Sequence, residues 1–331
     1  VATYLLDGAG SARLPRRPLS VTLAVVGPRT SGVRLVARLA DGADAPVRVH
    51  TPGMLIVPRV DDEIIIAAVP EAGLAQFDED TVLHVTIGPD SPQDIDADYA
   101  QLAPREVSGL ASIELATIAP ATVDQVAVTT RLTVADAPLP PLSNRARVAC
   151  RGALGVDTLP PDRQVTAGCV IDASASVAAL VGDGTLGAAI DIVAGVAAVI
   201  SGSQPLRACL ADDKYTEIPA GPLGELADRA QHTLRQSGYG IAANLDAAAR
   251  RVSGSAGFIV VITDAAVRPP QQEVPVSLMV LSESARRYPG FSGATFPPAP
   301  TGTRAEVFYD ANPHLIDQAV AALVAPLRER R

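Results

Sequence analysis

The 331-residue sequence has no tryptophan, 3% aromatic residues, three cysteines and a single lysine, Lys214. Each shortage closes off a class of function. One lysine at position 214 leaves no Gly-x-x-x-x-Gly-Lys-Ser/Thr phosphate loop, and the few tyrosines and phenylalanines form no pattern for stacking nucleotide bases. The cysteines at 150, 169 and 209 make no Cys-x-x-Cys pair and no zinc spacing. An odd total cannot close a disulfide framework, so they read as buried thiols in a reducing compartment. The longest apolar run, 187–200, is too short to span a bilayer and contains Asp191, and no signal-peptide pattern opens the chain. A cytoplasmic protein without a membrane span is expected.

Positive charge is also scarce. The net charge is −9, with 12 basic against 18 acidic residues through position 150 and 15 against 18 beyond it, so neither half carries a nucleic-acid footprint. From Asp61 to Asp98 there are 11 carboxylates and not one Lys or Arg. Such a stretch attracts cations, and Asp61, Asp62, Glu63, Asp94, Asp96 and Asp98 are candidate Ca²⁺ ligands. An EF-hand is rejected, because Tyr99 occupies the glycine position and Arg105 that of the bidentate Glu. The alternative is a solvated acidic loop.

Against these absences stands 48% hydrophobic content, enough for two folded domains. Residues 20–152 break into short runs of alternating or β-branched character at 20–26, 33–40, 53–58, 63–69, 81–88, 111–119, 124–134 and 146–150, with Gly, Pro, Asp and Asn between them. This rhythm predicts a mostly antiparallel β-sandwich over 1–152 with no long helix, followed by a linker at 153–164. Beyond it, continuous apolar strands at 165–172, 257–263 and 276–281 alternate with helical patterns at 186–200, 224–236, 242–252 and 312–331; 205–213 and 305–310 also read as strands. Strands buried on both faces imply a doubly wound, mainly parallel α/β sheet over 165–331.

In such a sheet ligands bind at the carboxyl ends of the strands. Asp172-Ala173-Ser174-Ala175-Ser176 follows the first strand and Thr263-Asp264 a later one. Asp172, Ser174, Ser176 and Asp264 are expected to converge on one all-oxygen site suited to Mg²⁺ or Mn²⁺. Ser174 and Ser176 as simple helix caps are the alternative.

The Asp-x-Ser-x-Ser segment at 172–176, with Asp264 ending the strand in VVITD, resembles the metal-ion-dependent adhesion site (MIDAS) of von Willebrand factor A (vWA) domains, over about 165–331. The resemblance implies two serine hydroxyls on a divalent metal, carboxylates acting through metal-bound waters, a loop threonine as third ligand, and a partner's acidic side chain completing the shell. The segment matching that loop, 237–244, has no threonine. Gly182-Asp183-Gly184-Thr185-Leu186 and Gly238-Tyr239-Gly240 are similar to a bacterial subgroup associated with tellurium resistance and stress response. In the N-terminal half, Val60–Ile65, Ala68-Val69-Pro70 and Leu83–Ile87 resemble the calcium-binding tellurium-resistance domains, although the tryptophan common near that family's end is missing.

Together these readings point to a non-enzymatic protein-interaction module with a partly degenerate metal site. A metal-dependent hydrolase using the 172/174/176/264 cluster and a metal-independent scaffold are the alternatives. Asp172 is read as an exposed loop carboxylate, removable without loss of the fold.

Overall fold

The structure is a computed structural model describing residues 3–7, 10–27, 32–90, 98–131, 139–159, 162–202, 204–265, 267–283 and 292–328. It divides into two units, Val1–Asp136 and Ala137–Arg331.

Among the described residues the first unit contains the strands β1 (Thr3–Leu6), β2 (Ser11–Pro15), β3 (Leu19–Val26), β4 (Val33–Leu39), β5 (Arg48–Thr51), β6 (Met54–Val57), β7 (Ile64–Pro70), β8 (Val82–Pro89), β9 (Tyr99–Leu102), β10 (Arg105–Glu106), β11 (Ile113–Pro120) and β12 (Gln125–Thr130). They form one sheet in the order β1-β9-β8-β3-β6-β5, with β10 on β8, and a second in the order β2-β12-β11-β7-β4. Pairing is antiparallel except between β1 and β9. Alternate residues point inward, as in β7, where Ile64, Ile66 and Ala68 are buried, and in β8, where Leu83, Val85 and Ile87 are. These side chains share one apolar core.

The second unit begins with a helix, α1 (Pro141–Leu154), where the alternation at 146–150 predicts a strand and the sandwich is expected to run to 152. The short window misleads because its apolar residues belong to a four-residue repeat: Leu142, Ala146, Cys150 and Leu154 all enter the second unit's core. The preceding prolines start the helix instead of breaking a strand, since Pro141 occupies its first turn, where a missing N–H costs nothing. Gly155 ends it in the left-handed conformation. The boundary therefore lies at 136/137, not at 152–165.

The remaining elements are β13 (Ala167–Asp172), α2 (Ala178–Gly182), α3 (Thr185–Ile200), β14 (Arg207–Ala211), β15 (Tyr215–Glu217), α4 (Leu226–Ser237), α5 (Leu245–Ser253), β16 (Phe258–Thr263), β17 (Val276–Val280), β18 (Gly293–Thr295), α6 (Ala305–Ala311), α7 (Pro313–Leu323) and α8 (Ala325–Arg328). The 305–310 segment, read as a strand, is helical in α6, with Ala305 and Tyr309 buried one turn apart. The sheet order is β15-β14-β13-β16-β17-β18, parallel throughout except for the antiparallel edge β15. Successive residues of the central strands feed different cores. Cys169, Ile171, Val260 and Ile262 pack with α1, α3, α4, α6 and α7, while Val170, Ile259 and Val261 pack with α5. Helices thus cover both faces, which is why these strands read as unbroken apolar runs. Among the described residues no single helix is long and apolar enough to cross a membrane.

Candidate functional site

Topology selects one place on this sheet. From β13 the chain steps to β14 on one side and later returns to β16 on the other, so the strand order reverses between β13 and β16. At such a switch point the loops leaving the two strands diverge to opposite faces and open a crevice at their carboxyl ends. Asp172 ends β13 and Thr263 ends β16.

Asp172 is buried, 3% exposed, which corrects its reading as an exposed loop carboxylate. Three donors hold it. Oδ1 accepts from the backbone N–H of Ser174 at 2.8 Å and from the Ser174 hydroxyl at 2.6 Å. Oδ2 accepts from the hydroxyl of Thr263 at 2.7 Å. Both hydroxyl bonds are short because the acceptor carries charge. The Thr263 hydroxyl also accepts from the backbone N–H of Ala265 at 3.2 Å, bracing the turn that carries Asp264.

Ser174 and Ser176 place their Oγ atoms 3.0 Å apart. Ser174 is buried and Ser176 exposed, so the pair leads from the carboxylate to the surface. Ser174 occupies the capping position of the 3₁₀ turn at 175–177, yet its side chain makes no capping hydrogen bond. Its hydroxyl is directed to Asp172 and Ser176, against the reading of these serines as caps.

A second loop closes over the first. Gly240, between α4 and α5, pairs with Ser174 as a parallel bridge: the N–H of Ala175 donates to the Gly240 carbonyl and the N–H of Gly240 to the Ala173 carbonyl, both at 2.9 Å. On the same turn Tyr239 is 43% and Ile241 98% exposed. Asp212, after β14, is buried and spends its Oδ1 on the backbone N–H of Lys214 at 2.6 Å. A cavity of about 340 Å³ adjoins this loop, lined in part by Asp213, Ala243, Leu245, Asp246, Val267 and Arg268.

The predicted residues are therefore distributed as follows. Asp172, Ser174 and Ser176 form one hydrogen-bonded cluster, and Asp264, half-buried, follows directly on the Thr263 bonded to it. In the first unit, Asp61 is bound by Arg16 at 3.1 Å and by Arg59 at 2.7 Å, and Glu63 by Arg131 at 3.2 Å. Arg59 stands just before the acidic stretch, whereas Arg16 and Arg131 come from distant segments of the chain. Asp62 is exposed, Asp98 half-buried, and Asp94 and Asp96 lie outside the described residues. Among the described residues, no group of three or more His, Cys, Asp or Glu side chains is arranged to hold a metal ion. A metal at the 172–176 loop would rest mainly on hydroxyl and water oxygens.

Thr263 is the residue that sequence reasoning passed over. Its signal was a hydroxyl at the last residue of the strand, immediately before Asp264, but its partner lies 91 positions away.

No family model matches the chain, and no curated protein matches it. Among solved structures, the D319A mutant of the PilB minor pilin from Streptococcus sanguinis is 10% identical, with a TM-score of 0.24, over 75% of this chain and 57% of that one. Human GIVD cytosolic phospholipase A2, in complex with methyl gamma-linolenyl fluorophosphonate inhibitor and terbium chloride, is 9% identical, with a TM-score of 0.14, over 61% and 46%. The chain spans less than two thirds of the length of either protein, and scores this low carry no inference about fold or function.

Proposed function

We propose that residues 165–331 act as a vWA-like protein-recognition module in which Ser174 and Ser176 hold Mg²⁺ or Mn²⁺ and a partner's acidic side chain completes the metal shell. The observation that carries this reading is the 3.0 Å separation of the two serine oxygens. Adjacent ligands of an octahedral ion with bonds of ~2.1 Å stand about 3.0 Å apart. The residues fit such an ion in charge as well. Ser174 donates its proton to Asp172, so its oxygen is an acceptor toward Ser176 and would be one toward an ion, and the buried carboxylate supplies negative charge behind the hydroxyls. With both oxygens of Asp172 engaged by protein donors, it would act on an ion from behind, by orienting Ser174. Asp264 would supply the second carboxylate. When bound, the metal provides a positive centre that attracts a carboxylate; the chain's own residues orient it and pre-pay the ordering of its ligands.

The absence of a threonine from 237–244 leaves coordination positions to water. An incoming Asp or Glu replaces a water and neutralises charge, so metal and partner should strengthen each other's binding reciprocally. A bacterial stress or tellurium-resistance setting, implied by sequence resemblance, is the proposed context.

Capture of partners by the full-length protein in Mg²⁺ and in chelator, followed by calorimetry on a captured partner, tests the reading. Metal-dependent binding that is lost in Ser176→Ala supports it. Equal affinity in chelator would identify a metal-independent scaffold. Metal-dependent turnover of a phosphoester or peptide would identify the hydrolase alternative, with the same cluster as its centre.

A further inference from the structure

We propose that Thr263 is the positioning residue of this site, its single hydroxyl fixing the Asp172 carboxylate and bracing the turn that carries Asp264. The inference rests on the metal-site reading above and assigns a determinant that the Asp-x-Ser-x-Ser pattern does not contain.

Three observations carry it. The Thr263 side chain is fully buried at the carboxyl end of β16, so its hydroxyl cannot fall back on bulk water. It donates to Asp172 Oδ2 at 2.7 Å, the bond that fixes the carboxylate's rotation about its own axis. Without that bond, Oδ1 alone, shared between the N–H and hydroxyl of Ser174, would hold the group. Thr263 also accepts from the N–H of Ala265, so the same oxygen shapes the turn immediately around Asp264. One hydroxyl acting as donor to one loop and acceptor from the other couples strands whose contributions lie 91 residues apart in sequence.

The consequence for Ser174 is direct. A carboxylate held in one orientation keeps the Ser174 hydroxyl hydrogen on Asp172 and its oxygen an acceptor toward the metal position. A rotating carboxylate lets that hydroxyl turn and offer its hydrogen to the ion instead. Groups that orient a ligand from behind typically contribute about 10–100-fold to metal affinity. Thr263 is expected to do so although it need not touch the ion.

The test uses the full-length protein, Mn²⁺ as the probe and electron paramagnetic resonance of the free ion as the readout. Thr263→Val keeps the shape and removes the hydroxyl; Thr263→Ser keeps the hydroxyl and removes the methyl. The expected result is a loss of about 10-fold or more in Mn²⁺ affinity for Thr263→Val and near-wild-type affinity for Thr263→Ser. Thr263→Ala serves as the second hydroxyl-free variant if Thr263→Val fails to fold, and thermal melts in chelator establish which variants are folded. In a double-mutant cycle, Thr263→Val and Asp264→Asn should be less than additive, since each removes part of the same arrangement. Wild-type affinity in folded Thr263→Val would overturn the inference and leave the metal site standing. Equal losses in the Val and Ser variants would also overturn it, by showing that packing and not the hydroxyl matters. A wild-type protein that binds no Mn²⁺ would defeat the metal-site reading itself, and this inference with it.

Discussion

A Cβ built on Gly240 would stand 2.5 Å from the Cβ of Asp212, closer than two side chains can approach. Gly240 does not need the left-handed region; it needs the absence of a side chain, because its backbone is pinned beside Ser174 by hydrogen bonds to Ala173 and Ala175. Gly240→Ala must therefore move either the 238–244 loop or the turn after β14. The expected cost is about 1–3 kcal/mol in urea unfolding, as for other overpacked positions. Displacement of the loop from Ser174 should lower Mn²⁺ affinity in the same variant. Unchanged unfolding and unchanged affinity together would show that the bridge is not a constraint.

Asp172→Ala should destabilise the fold, contrary to what an exposed loop carboxylate would do. Removing the side chain strands the Thr263 hydroxyl and the Ser174 N–H without their acceptor in a buried setting. Each such orphaned group costs about 1–3 kcal/mol. Asp172→Asn, which retains an acceptor oxygen, should cost less. Chemical denaturation in chelator measures both without interference from metal binding.

Asp191, inside the apolar α3, gives the second unit a pH dependence. Burial raises its pKa from 3.8 to about 6; the Ser143 hydroxyl, at 3.2 Å, opposes the rise, and Asp228 and Glu306 add to it. In the unfolded chain the group ionises near its ordinary value, so the folded state holds the proton over a range in which the unfolded state has lost it. Stability from this group is therefore greatest below about pH 4, declines between about pH 4 and 6, and is fully lost above about pH 6. Asp191→Asn keeps an acceptor for Ser143 and removes the penalty. It should stabilise the protein by roughly 2 kcal/mol at pH 7.5 and much less at pH 4.5. Urea unfolding of both proteins at the two pH values checks this; equal differences would place the titration elsewhere.

Helix α1 packs into the second unit's core through Leu142, Ala146, Cys150 and Leu154 and meets α3 most tightly at Gly195. A Cβ on Gly195 of α3 would stand 2.2 Å from the Ser143 carbonyl oxygen and 2.8 Å from the Ala146 Cβ. Gly195→Ala is expected to cost at least about 1–3 kcal/mol, because backbone cannot give way as a flexible side chain does. Proteolysis of the native variant should then open first near residues 137–156. Protection equal to that of wild type would mean that α1 is held by other contacts alone.

Much of the architecture is written in hydrophobic periodicity. The alternation in β7 and β8 and the unbroken apolar runs of β13 and β16 specify their strands and the number of covered faces, because a strand's burial is set by which of its own side chains are apolar. Segments 146–150 and 305–310 mislead because five or six residues fit both a two-residue and a four-residue repeat. The apolar partner that decides between them lies on α3 or α7 in the first case and beside Phe296, which stacks on Tyr309, in the second.

The candidate site divides in the same way. Asp172, Ser174, Ser176 and Asp264 stand out in the sequence because a strand end followed by oxygen-bearing residues is a local pattern. What they can do was decided by tertiary structure. Hydrogen bonds join residues without regard to their separation along the chain, so only the pairing of β13 with β16 brings Thr263 to Asp172, and only the return of the 238–244 loop sets Gly240 on Ser174. The acidic stretch from 61 shows the reverse case. Residues 61–98 hold no cation of their own; Arg59, just before them, reaches Asp61, but Arg16 and Arg131 reach Asp61 and Glu63 from 45 and 68 positions away, a balance of charge in space that the local sequence does not show.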